Sequence, residues 1–298
     1  MKKFKLLKED TIEVDGHTLY RIKALSDFAD VKKGDLGGYV ESERNLSHYG
    51  SCWIYSKACV YEDAFVVDNA TVSGQAKVHG DAAVSEESWV YGLAKVSGSV
   101  QVRGYAKVSE DAEVTGNAVV SENARVYGRA TICENAWVRG HSMVYGYALV
   151  KGNAIVAGQA QVYGHANVYD RAYVIGNARV YGNAEVFWKA MVSDYACIYD
   201  NAWIYGKSQV SGGAKVYHDT KVYGEAKVYG QAKVYGKAKV HGKAKVLDFA
   251  QVYGEAKVYG QAKVYGKAEV LDSAEVYDEA RVCGWVCGDT VVRDRASV

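Results

Sequence analysis

Along most of this chain the apolar positions fall in a single beat of six. Stepping by six in both directions from Val228 gives 39 positions between Ile54 and Val282, and every one is Val or Ile. Two residues before each of them stands Ala in 33 cases, the others being Cys52, Ser88, Val100, Ser142, Ser208 and Thr220. Apolar side chains at alternate positions place Ala and Val on one side of a short strand. Two residues after each Val comes a bend. Of the 38 such sites from Ser56 to Asp278, 23 are Gly, seven Asp and five Glu. Gly enters positive φ without steric cost, and Asp can stabilise a tight turn through its own side chain. Each hexad therefore predicts a strand followed by a bend, and a chain that bends the same way every six residues must coil.

The outward residue after each Val gives the length of a coil. Sorted with a period of 18, ten of thirteen positions in one class are Tyr: Tyr55, Tyr91, Tyr127, Tyr145, Tyr163, Tyr181, Tyr199, Tyr217, Tyr235 and Tyr253. The sparsest class holds two, Tyr229 and Tyr265. Such sorting predicts three hexads per turn, a triangular prism of 18-residue coils stacked at ~4.8 Å. Residues 46–282 supply about 13 coils, giving a rod of roughly 60 Å. The expected class is all-β, a single-stranded parallel β-helix. Residues 1–45 lie outside the beat. Their two alternating stretches meet at Asp15-Gly16, a hairpin signal, and read as a cap over the open end of the coil. Residues 283–298 form a phase-shifted last coil, with Val286 where an Ala is due.

The segment V-Y-G-N-A-E-V from Val180 resembles the hexapeptide repeat, aliphatic-x-x-x-small-x, of the left-handed parallel β-helix superfamily. The resemblance covers about 80 % of the chain. It implies left-handed coiling, which the spacing does not supply and which runs against the usual right-handed crossover. The run D-F-A-D-V-K-K-G-D-L-G-G-Y-V-E from Asp27 also resembles bacterial hexapeptide-repeat proteins labelled putative transferases. Acyltransferases of this superfamily carry a loop leaving the coil and a general-base His in a cleft between subunits. Its carbonic anhydrases bring three His to a metal.

Neither arrangement is legible in this sequence. No loop interrupts the hexads, and the seven His occupy different corners and heights of the expected coil; only His79 and His241 share a column. The one candidate base is His165, at a bend, and no other catalytic residue is assigned. Cys283 and Cys287 would be half a zinc site, with no nearby Cys or His to complete four ligands. The recurrent Gly follow from turn geometry, not from phosphate binding. No metal and no cofactor is expected.

A net charge of +1 carries no global signal for nucleic acid or membrane. The opening M-K-K-F-K-L-L-K-E-D lacks the apolar run of a signal peptide, and the scattered Cys suit a reducing compartment, so a cytoplasmic protein is expected. Two surfaces exceed what the fold requires. One is the Tyr column with Trp53 and Trp89 beside it, which predicts self-association, since aromatics are enriched at interfaces. The other is a Lys-rich band, Lys227, Lys233, Lys239, Lys245, Lys257 and Lys263, interleaved with Tyr and suited to a polyanion. The chain reads as a non-enzymatic scaffold whose partner is a second copy or another protein. A hexapeptide-class acyltransferase with a site between subunits, and a nucleotide or nucleic-acid binder, are the alternatives.

Overall fold

The computed structural model describes residues 2–298. It is all-β apart from one 3-10 turn at Glu43–Asn45, and the chain makes about 14 solenoid turns with 18-residue spacing. It divides into two compact units, Met1–Tyr147 and Ala148–Val298.

In the first unit each hexad forms a two-residue strand, and strands 18 residues apart pair in parallel: Trp53↔Thr71, Cys59↔Lys77 and Phe65↔Ala83 open the three columns. The second unit repeats this, with Leu149↔Asn167, Ile155↔Tyr173 and Gln161↔Arg179. Main-chain bonds run from one coil to the next, as in Lys107 N–H to Ala124 C=O and Ser109 N–H to Val126 C=O, both 2.9 Å. At the end of the second unit one hexad is shortened, so Glu269 pairs with Trp285, 16 residues on.

Inside both units the core is Val on Ala, fully buried. The polar residues that replace Ala are buried as well. Ser88, Ser142, Ser208 and Thr220 each donate a hydroxyl hydrogen bond, 2.6–2.9 Å, to the carbonyl three residues back. A buried hydroxyl therefore has its partner within its own turn.

Every bend places the second residue after Val at positive φ. Gly224 sits at +72°, and a Cβ there would lie 2.9 Å from the amide nitrogen of Gly242 in the next coil. Acidic bends occupy the same conformation near +56° to +61°, but their carboxylates do not close the local turn. Most of them accept the amide hydrogen of the bend one coil later: Gly104 N–H to Glu86 at 3.0 Å, Gly128 N–H to Glu110 at 2.9 Å, Gly212 N–H to Asp194 at 2.9 Å. Trp188 and His218 hold positive φ with large side chains. Trp188 rests edge-on against Phe187 and Tyr205, and His218 against Tyr217.

The N-terminal segment is built from β1 (Phe4–Val14), β2 (His17–Ala24) and β3 (Leu36–Val40). Asp15 and Gly16 both have positive φ, which a two-residue hairpin turn requires. β2 pairs antiparallel with β3, and β3 lies parallel on Cys59–Val60. Leu19 and Tyr39 bury Tyr61, while Phe4 and Phe28 pack edge-on against Trp53. The segment thus continues one face of the first coil and covers its aromatic side chains.

Candidate interaction surfaces

The stacked Tyr column is clearest in the second unit. Ring centroids are 4.9 Å apart for Tyr163–Tyr181, 5.0 Å for Tyr181–Tyr199, 4.7 Å for Tyr199–Tyr217, 5.1 Å for Tyr217–Tyr235 and 4.8 Å for Tyr235–Tyr253, with planes within 6°. Six rings thus form one ladder at the strand spacing, because every coil adds exactly one Tyr to the same column. Each ring covers its neighbour's face and keeps an edge exposed. Burial pushes the phenols of Tyr181, Tyr199, Tyr217, Tyr235 and Tyr253 up, Tyr199 and Tyr253 to about 12; at Tyr253 the hydroxyl also donates to Glu269 at 3.1 Å.

In the first unit the column is broken by Ser73 and Ser109, leaving Tyr127–Tyr145 stacked at 4.9 Å and Tyr91 exposed. Trp89 is exposed, with the Lys107 ammonium 4.6 Å from its ring. One residue of the expected face is not available to a partner: Trp53 is 1 % exposed beneath the N-terminal segment. Tyr55 remains partly exposed, its hydroxyl donating to Asp30 at 2.7 Å. The hexad beat could not reveal this, since the covering residues lie outside it.

The six lysines do not form one band. A step of six residues turns the chain onto the next face, so only residues 18 apart share a column. Lys227, Lys245 and Lys263 stand on one face, Lys239 and Lys257 on a second, and Lys233 on the third, below Lys215. The first of these columns continues into Arg281, a residue that counting lysines passes over.

His165 lies exposed beside the bend at Gly164. Two other histidines meet in a cluster. His17, from β2, places Nδ1 3.2 Å from Glu41 and Nε2 3.4 Å from Glu62, and Glu62 also lies 3.5 Å from His79. His79 stacks on Tyr61 at 4.8 Å, whose hydroxyl donates to Asp15 at 2.7 Å. Lys77 closes the group at 3.0 Å from Asp15. Folding the His onto the repeat missed this cluster because His17 is not part of the repeat. Alternation in residues 17–24, facing the first coil, was the available signal. Among the described residues no group of three or more His, Cys, Asp or Glu has the arrangement of a metal site, and no helix is long and apolar enough to cross a membrane.

The repeat, the 18-residue coil and the bend geometry fit the left-handed β-helix of hexapeptide-repeat, transferase-like proteins. No family model matches the chain. It is 33 % identical over 78 residues to a protein named uncharacterized acetyltransferase YdcK of Escherichia coli (strain K12). The match spans 24 % of this chain and 24 % of that relative's length.

Proposed function

We propose that this chain is a non-catalytic interaction scaffold that self-associates through its Tyr ladder. The six-ring stack from Tyr163 to Tyr253 carries the reading. Flat, half-exposed aromatic rows held rigid by a solenoid lose little conformational entropy when a partner covers them, and aromatic anchors concentrate binding energy. The reading is tested by absolute mass from light scattering at low and high salt. A dimer or trimer that persists in salt is expected, and Tyr181→Ser, Tyr199→Ser and Tyr217→Ser together should return it to monomer. A wild-type monomer at all salts would remove the proposal.

The partial identity to a protein named an acetyltransferase favours a second reading, acyl transfer at a site completed between subunits. His165 is the base this reading would use. Acetyl transfer from a thioester donor to amine or hydroxyl acceptors, lost in His165→Ala with the mass unchanged, would displace the scaffold reading.

A further inference from the structure

The second unit carries Lys on all three faces, and two of the three runs meet acids. On one, Lys221, Lys239 and Lys257 are followed in register by Glu275, which pairs with Lys257 at 2.7 Å. On another, Lys215 and Lys233 are followed by Gln251 and Glu269. The third runs Gln209, Lys227, Lys245, Lys263, Arg281, with no carboxylate in the column. The acids at its edge are engaged elsewhere, Glu225 with Lys207 at 3.8 Å and Glu279 with Arg295 at 3.0 Å. Like charges directly opposite across a ladder are destabilising. Four in succession make a surface on which a bound anion would relieve that repulsion.

What lies beside the cations narrows the anion. Tyr229 and Tyr265 follow the Val of the Lys227 and Lys263 strands, and with Leu247 between them they line a shallow groove against Lys245, Lys263 and Arg281. Three rungs at ~4.8 Å span about 14 Å, so the four cations form a continuous positive track along which a flexible phosphate backbone can lie. A cationic track with aromatic rings alongside is the arrangement that holds single strands without sequence preference.

We propose that the column Lys227, Lys245, Lys263, Arg281 binds the backbone of single-stranded nucleic acid, with Tyr229 and Tyr265 as stacking platforms. This surface lies on a different face from the Tyr ladder, so the proposal stands independently of self-association.

The test is fluorescence anisotropy of a labelled 12-nucleotide oligothymidylate across a salt series. With four phosphates neutralised, log K should fall with log salt with a slope of about −2.8. Lys245→Gln with Lys263→Gln should bring the slope to about −1.4. Tyr229→Ala with Tyr265→Ala should weaken binding about tenfold or more with the slope kept. Lys215→Gln with Lys233→Gln, on another face, should change neither value. All four positions of the column are surface side chains, and circular dichroism confirms that each variant folds. Absence of binding at low salt, equal losses from the Lys215 and Lys233 variant, or insensitivity to loss of the two Tyr would overturn the proposal. So would equal affinity for inorganic polyphosphate, which would mark the face as a general polyanion track.

Discussion

At the scale of single residues, the bends decide which substitutions the solenoid accepts. Asp248 sits at φ +60° and its carboxylate accepts the Gly266 amide hydrogen at 3.0 Å. Asp248→Ala loses that bond, worth about 1 kcal/mol, while an L side chain stays in the left-handed region at a further cost of about 1–2 kcal/mol relative to Gly. Asp248→Gly loses the same bond but relieves the left-handed cost that the wild-type Asp already bears, so its two effects nearly cancel. Urea melts should therefore place Asp248→Gly near wild type and Asp248→Ala clearly below both. Equal midpoints for the two variants would mean that the bend does not resist a Cβ. The bends were legible from sequence because Gly, Asp and Glu mark them every six residues. What acidic bends do was not, since their hydrogen-bond partner stands 18 residues away, and local turn chemistry gives no hint of it. Trp188 is a further case: its positive φ was implied by its phase, but of the two rings it rests against, Tyr205 comes from the next coil.

Among the elements, the N-terminal hairpin is the one whose attachment depends on charge. Burial pushes Glu41 up, but hydrogen bonds from the Glu62 amide and from His17, with the His17 charge, outweigh it and hold Glu41 below its ordinary value of 4.5. Hydrogen bonds from Tyr61 and Lys77 hold Asp15 below 3.8. A carboxylate depressed in the folded state stabilises it above the unfolded pKa and loses that contribution as pH falls through the folded one. The hairpin should therefore be fully attached at neutral pH and loosen below about pH 4. Trp53 reports it. With the other five of the six tryptophans replaced by Phe, acrylamide quenching of Trp53 should rise steeply in acid, and Glu41→Gln with Asp15→Asn should remove most of the pH dependence. Flat quenching in the parent would show that apolar packing of Phe4, Leu19 and Phe28 alone holds the segment. The hairpin itself was readable from Asp15-Gly16. Its landing place was not, because the face it covers is fixed by β3 lying on Cys59–Val60, a pairing outside any repeat.

For the molecule as a whole, the phase of the hexad and the identity of each face are separable, and deletions can address them one at a time. Removing a number of residues that is a multiple of six keeps Val and Ala inside, so the core survives; removing three turns outward residues inward. Deleting 189–191 should therefore destroy the fold locally, whereas deleting 189–194 or 189–200 should leave the strand signal in circular dichroism and a cooperative melt. The two longer deletions differ in what they bring below Tyr163 and Tyr181. Without 189–194, Tyr205, Tyr223, His241 and Tyr259 enter that column and an aromatic ladder is rebuilt. Without 189–200, the column receives Ser211, Tyr229, Leu247 and Tyr265, and the ladder is interrupted. Self-association, measured by light scattering, should persist in the first and disappear in the second. Both leave Lys227, Lys245, Lys263 and Arg281 in one column, since all four move together, so affinity for the oligonucleotide should be unchanged in both. Loss of association in both variants, or retention in both, would show that the stacked Tyr column is not what joins one chain to another.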